Sequence, residues 1–290
     1  MPTFLVVGVS GHTGSVVAQQ LLDQKQKVRV LVHEASKADR WKKRGAEIAV
    51  GSVDDPHALA AALRSVDAAY VLIPPPPMSS TGYFQRTQKI IDAYVQTLGG
   101  SHVKHVVLLS SLGAEVPEGT GLIRAVYLAE KAFSALKIPC TFLRASSFVE
   151  NWAGGFEAAK GGQLPTFYPA DKKYPQVATH DIGLLAASLL AEHPKATRVV
   201  ELAGPVDASP NDVAQVLSKL LGRDVQVVSR PVAQMSATLQ QYGFSAEMAA
   251  LFQEMSEAHL AGRIGLEHAE TLRRGKETLE QTLGAMLKKG

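Results

Sequence analysis

The chain has 290 residues, of which 46% are hydrophobic and 20% charged, which fits a folded globular protein and excludes a disordered one. Its 30 Lys+Arg against 27 Asp+Glu leave a formal charge of +3 with the basic residues scattered, which argues against a nucleic-acid partner. No apolar run approaches the ~20 residues that span a bilayer, so no membrane association is expected. The apolar start at Phe4–Val7 lacks a basic lead-in and ends in a glycine-rich turn, so it reads as a strand and not as a signal peptide. The expected compartment is therefore cytoplasmic. The one cysteine, Cys140, permits no internal disulfide, and its apolar setting predicts a buried small side chain, not a nucleophile. The length suits one main domain, 1–150, with a smaller lobe, 151–290, whose segments return in part to the first sheet.

Short apolar runs alternate with helical spacing through the first half. Phe4–Val9 predicts the first strand and Val16–Leu22 the helix after it. Val28–Val32 and Ala46–Val50 follow as strands, then Pro56–Leu63 as a helix and Ala68–Ile73 as the fourth strand. Phe84–Leu98 carries Ile90, Ile91, Tyr94, Val95 and Leu98 at helical spacing. His105–Leu109, the helix Ile123–Leu136 and the strand Cys140–Leu143 complete the pattern. Such alternation predicts parallel strands with helices on both faces. In the second half, Gly154–Gly155, Gly161–Gly162, Pro165 and Pro169 read as loops. His180–Ala191 and Pro210–Leu221 read as helices, the latter with Ser209 as a cap. Arg198–Leu202 reads as a strand, Val225–Ser229 as an edge strand, and the chain from Ala233 onward as mostly helical.

The strongest local signal is Gly8-Val9-Ser10-Gly11-His12-Thr13-Gly14. A strand ends, the chain turns tightly, and a helix opens with unsatisfied N–H groups. That arrangement cradles a pyrophosphate, with the glycines removing side chains from its path. A doubly wound parallel Rossmann-type sheet with a smaller, mainly helical C-terminal substrate lobe is the predicted α/β fold. Gly8, Gly11 and Gly14 shape the turn, and Ser10, His12 and Thr13 contact the phosphates. The end of the second strand selects between cofactors: acids take the ribose hydroxyl of NAD, bases the 2′-phosphate of NADP. His33, Ser36, Lys37 and Arg40 favour NADPH, with His33 and Lys37 as its ligands, while Glu34 is an acid that keeps NADH open.

The ordered set of motifs resembles the NmrA-like branch of the atypical short-chain dehydrogenase/reductases. Besides the glycine turn, the matching pieces are Val30–Lys37, Gly51–Asp55, Val107–Ala114, Glu130–Phe133, Thr141–Arg144, Phe148–Asn151 and Thr179–Gly183. The sequence departs from that family in carrying His33 where Arg is common, and Ser52 where an Asp usually follows the glycine. The resemblance implies NADPH in the members that are enzymes, and a substrate cleft between the lobes. Its enzymes include quinone and azo-dye reductases; other members are redox sensors without turnover that report to a protein partner. Ser52 and Val53 are expected at the adenine.

Tyr127-Leu128-Ala129-Glu130-Lys131 has the Tyr-x-x-x-Lys spacing, which puts both side chains on one helical face. Lys131 can hold the ribose and lower the Tyr127 pKa, so that the phenol donates a proton as hydride arrives. The other reading makes Tyr127 a packing residue at the helix edge and Lys131 a solvated one. In the family the preceding position, here Val126, often carries a His, and the Tyr is not required. Pro74–Pro77 follows the fourth strand, and Pro74 is expected beside the nicotinamide. Ser111, Phe148, Asn151 and Trp152 are the candidate pocket for an aromatic or quinone-like substrate, though the aromatic residues can equally glue the lobes together. The histidines show no metal-ligand spacing, and there is no Gly-x-Ser-x-Gly elbow. An NADPH-dependent oxidoreductase passing hydride to a planar acceptor is the expected function, and a dinucleotide-binding redox sensor the alternative. A homodimer is compatible with either.

Overall fold

The computed structural model describes residues 1–288. An eight-stranded parallel sheet forms its centre, in the order β12-β10-β6-β5-β4-β1-β2-β3. The strands are β1 (Thr3–Val6), β2 (Lys27–Val32), β3 (Glu47–Val50), β4 (Ala68–Val71), β5 (His105–Ser111), β6 (Cys140–Ala145), β10 (Arg198–Ala203) and β12 (Arg273–Arg274). Chain order reverses between β1 and β4, which opens a crevice at the carboxyl ends of the strands. β1 stops earlier than its apolar run because Gly8 turns into the left-handed region at φ +74°.

Helices cover both faces, which is why β4 and β6 are buried at every position. On one face α1 (His12–Asp23) and α7 (Thr179–Leu190) press Val17, Leu21, Ile182 and Leu190 onto Val6, Val30 and Leu143. The two helices approach so closely that a Cβ on Gly183 would overlap Val16. On the other face α3 (Pro56–Ala62), α4 (Tyr83–Gly99) and α5 (Arg124–Phe133) bury Leu59, Ile90, Tyr94 and Phe133 against Leu5, Val71 and Leu108. A short α2 (Asp39–Lys43) lies between β2 and β3.

Beyond Ala145 the chain divides its elements. α7, β10 and β12 join the main sheet, while a second lobe gathers around Val149, Leu164, Val213, Leu217 and Leu283. That lobe contains α6 (Phe156–Lys160), α8 (Pro210–Leu221) and α11 (Leu279–Leu287). Its parallel ribbon pairs β8 (Gln163–Thr166) with β11 (Gln226–Ser229). β7 (Ser147–Phe148) and β9 (Gln176–Val177) form a second small pair. The expected edge strand over Val225–Ser229 is thus present but pairs outside the main sheet. The segment around Pro165 is a strand and not a loop; a two-stranded ribbon leaves one edge of each strand free, where proline's missing N–H costs no ladder bond. α9 (Met235–Gln241) and α10 (Ala246–Leu260) form a separate helical pair. α10 docks on α4 through Glu247, whose carboxylate accepts from the N–H groups of Gly82 at 2.7 Å and Tyr83 at 2.9 Å. No helix among the described residues is long and apolar enough to cross a membrane.

Candidate active site

Three adjoining cavities run along the carboxyl edge of the sheet. The first, of about 430 Å³, is lined by Ser10, Gly11, His12 and Ser15 on one side and by His33, Ser36, Lys37, Arg40 and Trp41 on the other. The second, about 510 Å³, shares Ser10, Gly11 and His12 with it and continues past Thr13 and Pro74–Pro76 to Ser110, Ser111 and Phe148. The third, about 250 Å³, shares Ser111 and Phe148 with the second and extends to Ser146, Asn151, Tyr168 and His259.

The glycine turn owes its shape to two contacts. Gly8 has a positive φ, and a Cβ on Gly14 would sit 2.5 Å from the Gly8 carbonyl oxygen, so the first turn of α1 lies directly on the strand end. Gly11 occupies the N-cap of α1, where no side chain caps the helix and no acid stands in the first turn. The leading N–H groups therefore lie open to an anion, with the positive end of the helix dipole behind them. The Tyr70 hydroxyl, fully buried in β4, donates to Thr13 Oγ1 at 2.9 Å and pins the start of α1 to the sheet. This turn fits a dinucleotide pyrophosphate: a cradle without Cβ atoms faces an uncapped helix.

At the far end of the first cavity the basic side chains outnumber the acids. The Arg40 guanidinium stacks on Trp41 with its central carbon 5.0 Å from the ring centroid. Lys37 Nζ is 3.7 Å from Glu34 Oε1, and Glu34 itself does not line the cavity. Ser52 and Val53 lie just beyond β3 at the same rim, where the Gly51 N–H donates to the Val32 carbonyl at 2.9 Å. They line none of the three cavities, and the Ser52 hydroxyl is turned to Asp54, whose carboxyl it holds below the usual range together with Lys89.

The second cavity is mostly apolar. Leu72, Ile73, Leu109, Leu122 and Val126 wall it, and Met248 and Phe252 roof it from α10. Away from the glycine turn its hydroxyls are all committed. Ser110 donates to Glu130 at 2.5 Å, Ser111 to the Leu112 carbonyl at 3.0 Å, and Thr179 to Glu150 at 2.5 Å. Tyr83 donates to the Leu122 carbonyl at 3.2 Å, and burial pushes its phenol up to about 12.

Tyr127 and Lys131 stand apart from this lining. Tyr127 is half-buried, Lys131 is exposed, and neither lines any of the three cavities. The face of α5 that meets the cavity carries Val126, and four residues on it carries Glu130 inward to a buried ion pair. Arg144 bonds Glu130 at 3.0 and 2.7 Å and Glu115 at 2.5 Å, so two of the family motifs meet as one structural network. Two further motifs also hold architecture. Glu150 accepts from the Thr179 N–H at the start of α7, and Asp181 accepts from the N–H groups of Lys276 and Glu277. Of the expected substrate residues, Ser111, Phe148 and Asn151 line the second or third cavity. Trp152 instead packs in the second lobe, its indole donating to Gln176 at 2.7 Å. Met248, Phe252, Tyr83 and Thr179 were not legible as site residues, since each arrives from an element placed only by tertiary docking. Cys140 is buried and its thiol is pushed up to about 12 by desolvation, which leaves it inert. Among the described residues no cluster of His, Cys, Asp and Glu is arranged to hold a metal.

Residues 2–283 match the model of the NmrA-like family. The chain belongs to that family. Among curated NmrA-like relatives, the NAD(P)H azoreductase of Xenophilus azovorans is 27% identical over 253 residues, covering 87% of this chain and 85% of its own. The NmrA-like fold recurs in the NADPH-dependent quinone oxidoreductase of Escherichia coli solved with NADPH. That structure has a TM-score of 0.80 at 22% identity, over 98% of this chain and 99% of its own. It recurs too in the triphenylmethane reductase of Citrobacter sp. complexed with NADP(H), with a TM-score of 0.76 at 19% identity, over 98% and 95%.

Proposed function

We propose that this NmrA-like protein is an NADPH-dependent oxidoreductase that passes hydride, without flavin, to a planar conjugated acceptor such as a quinone or an azo compound. One observation carries the reading: an apolar cavity of about 510 Å³ opens directly from the uncapped glycine turn, and its polar side chains still free to donate, Ser10, His12 and Thr13, all belong to that turn, where the pyrophosphate engages them. The nicotinamide, when bound, supplies the hydride. The chain's own residues bind, orient and exclude water. Gly8 and Gly14 hold the turn, the N–H groups of the first turn of α1 take the pyrophosphate, and Ser10, His12 and Thr13 border it. His33, Ser36, Lys37 and Arg40 surround the 2′-phosphate, with Glu34 drawn off toward Lys37. Pro74 and its neighbours make a rigid wall beside the reacting ring.

The lack of a free acid narrows the acceptor. Reducing a simple carbonyl produces an alkoxide that needs a proton at once, usually from a positioned side chain. Hydride addition to a conjugated acceptor leaves a delocalised anion that persists long enough to take its proton from bulk solvent on leaving the site. The cavity of this protein suits the second case. Tyr127 and Lys131 take no step in this reading, because Val126 and not Tyr127 lines the cavity. The family relatives named for azo and quinone reduction support the same choice.

Acceptor-dependent NADPH oxidation by the purified protein tests it, with quinones, azo dyes and simple carbonyls compared and Tyr127→Phe run alongside. Quinones or azo compounds are expected to turn over, carbonyls to fail, and Tyr127→Phe to retain the activity. Tight NADPH binding without turnover on any acceptor would overturn the reading.

A further inference from the structure

The third cavity has a composition of its own. It lies beyond Ser111 and Phe148, the two residues it shares with the apolar cavity, so a molecule seated against the glycine turn can extend into it. Its lining includes Ser146, Asn151, Tyr168 and His259 and contains no acid, lysine or arginine. Ser146 follows β6 at the carboxyl edge of the sheet and is 3% exposed. Its hydroxyl is buried without a hydrogen-bond partner among the described residues. A buried hydroxyl in that state carries a desolvation cost which a ligand's polar atom relieves. His259 lies on α10 across the cavity. Its Nδ1 is 3.2 Å from the Tyr168 hydroxyl, and its ring packs edge-on against Tyr168 and Tyr174 at 5.4 and 5.0 Å. Those contacts fix the ring and leave Nε2 free of any protein hydrogen bond among the described residues. Burial, reinforced by nearby Lys172, pulls the imidazole down to about 4, so it is uncharged near neutrality.

We propose that this chamber is a specificity subsite that binds an uncharged polar end group, such as a hydroxyl or carbonyl, of an elongated aromatic acceptor, with Ser146 and His259 as its hydrogen-bonding residues. The inference rests on the reductase reading for the identity of the acceptor, but not for the existence of the subsite. No charged side chain lines the chamber, and Lys172, which acts on His259 from outside the lining, does not meet a ligand's end group directly, so desolvating a carboxylate or an ammonium there is poorly compensated. A methyl end leaves Ser146 unpartnered. Sites built to bond a hydroxyl reject the analogue that lacks it.

The test is calorimetric binding of three probes, with and without NADP⁺. Each is a naphthalene carrying the same short alkyl chain, ended by hydroxyl, methyl or carboxylate. The hydroxyl probe is expected to bind about tenfold or more tighter than the other two. Ser146→Ala is expected to bring the hydroxyl and methyl probes within about twofold of each other, with the methyl probe's affinity unchanged as evidence that the chamber is intact. His259→Phe keeps the aromatic packing and is expected to reduce the same preference. Equal binding of the three probes, tighter binding of the carboxylate, no binding of any, or a preference that survives Ser146→Ala would each overturn the proposal. No turnover is needed, so failure of the reductase reading shows separately, as absent NADPH oxidation.

Discussion

In the proposed reading, a few side chains around the first cavity decide cofactor choice. Lys37 and Arg40 are cations on its lining, while Glu34 is off the lining and 3.7 Å from Lys37. A dianionic 2′-phosphate gains from both cations, whereas a ribose hydroxyl gains little. Replacing both by alanine is therefore expected to weaken NADPH binding by roughly ten- to a hundredfold, at about 1 kcal/mol or more per charge-assisted hydrogen bond. NADH affinity is expected to stay within about twofold, as it owes nothing to those cations. Fluorescence titration of both dinucleotides checks this, and a parallel loss for NADH would mean that the two residues hold something other than the 2′-phosphate. The basic character of this segment was legible in the sequence because it is local, with His33 and Lys37 four residues apart. The glycine turn was legible for the same reason: strand, tight turn and helix follow one another within a single stretch.

Helical phase explains much of what was not legible at the scale of elements. One residue turns an α-helix by about 100°, so neighbours such as Val126 and Tyr127 face different surroundings. The Tyr-x-x-x-Lys spacing identifies a shared face but not which face. In the structure the stripe from Leu122 through Val126 meets the cavity, and its continuation places Glu130 on Arg144, buried at 8% and 6% side-chain exposure. Removing Glu130 leaves the buried Arg144 with Glu115 alone and takes the acceptor from Ser110. Glu130→Ala is thus expected to lower stability by roughly 2–4 kcal/mol, below the cost of a wholly unpaired buried charge, read as a shift of the urea midpoint. A midpoint at the wild-type value would show that Arg144 and Glu115 compensate alone. α10 marks the other limit of sequence reading. Its helical character was readable, yet it is tertiary docking, through the Glu247 carboxylate on the start of α4 and the packing of Met248 and Phe252 against Tyr83 and Leu122, that sets Met248 and Phe252 above the cavity. Trp152 is the converse case, an aromatic residue next to the pocket that spends its ring on the second lobe.

For the whole molecule, the buried histidines set a pH dependence. Burial, with Arg198 nearby, pulls His105 down to about 4 from its usual 6.5, and it is 1% exposed with Nε2 2.9 Å from Thr141 Oγ1. The folded chain holds it neutral while the unfolded chain takes up a proton, so the His105 contribution to stability falls as pH drops below about 6.5 and stops falling below about 4. The loss attributable to His105 is up to roughly 3 kcal/mol. Denaturant unfolding across that range is expected to show it, and His105→Gln to remove that share of the slope; a variant with an unchanged slope would assign the effect elsewhere. The doubly wound sheet itself was predictable from the alternation of apolar runs and helices, down to where its first six strands lie along the chain. Which segments beyond Ala145 lie on that sheet, namely α7, β10 and β12, and which form the separate β8–β11 ribbon, depends on long-range pairing that no local pattern encodes. In the proposed function, the glycine turn, the basic end and the apolar cavity act together as one hydride-transfer site. A single-turnover experiment tests it most directly, with NADPH bound in advance to flavin-free protein and mixed with a quinone, using the reductant with hydrogen or with deuterium at the transferring carbon. The account predicts loss of the nicotinamide absorbance in one phase, slower for the deuterated form; bound NADPH that stays reduced in the presence of every acceptor would contradict it.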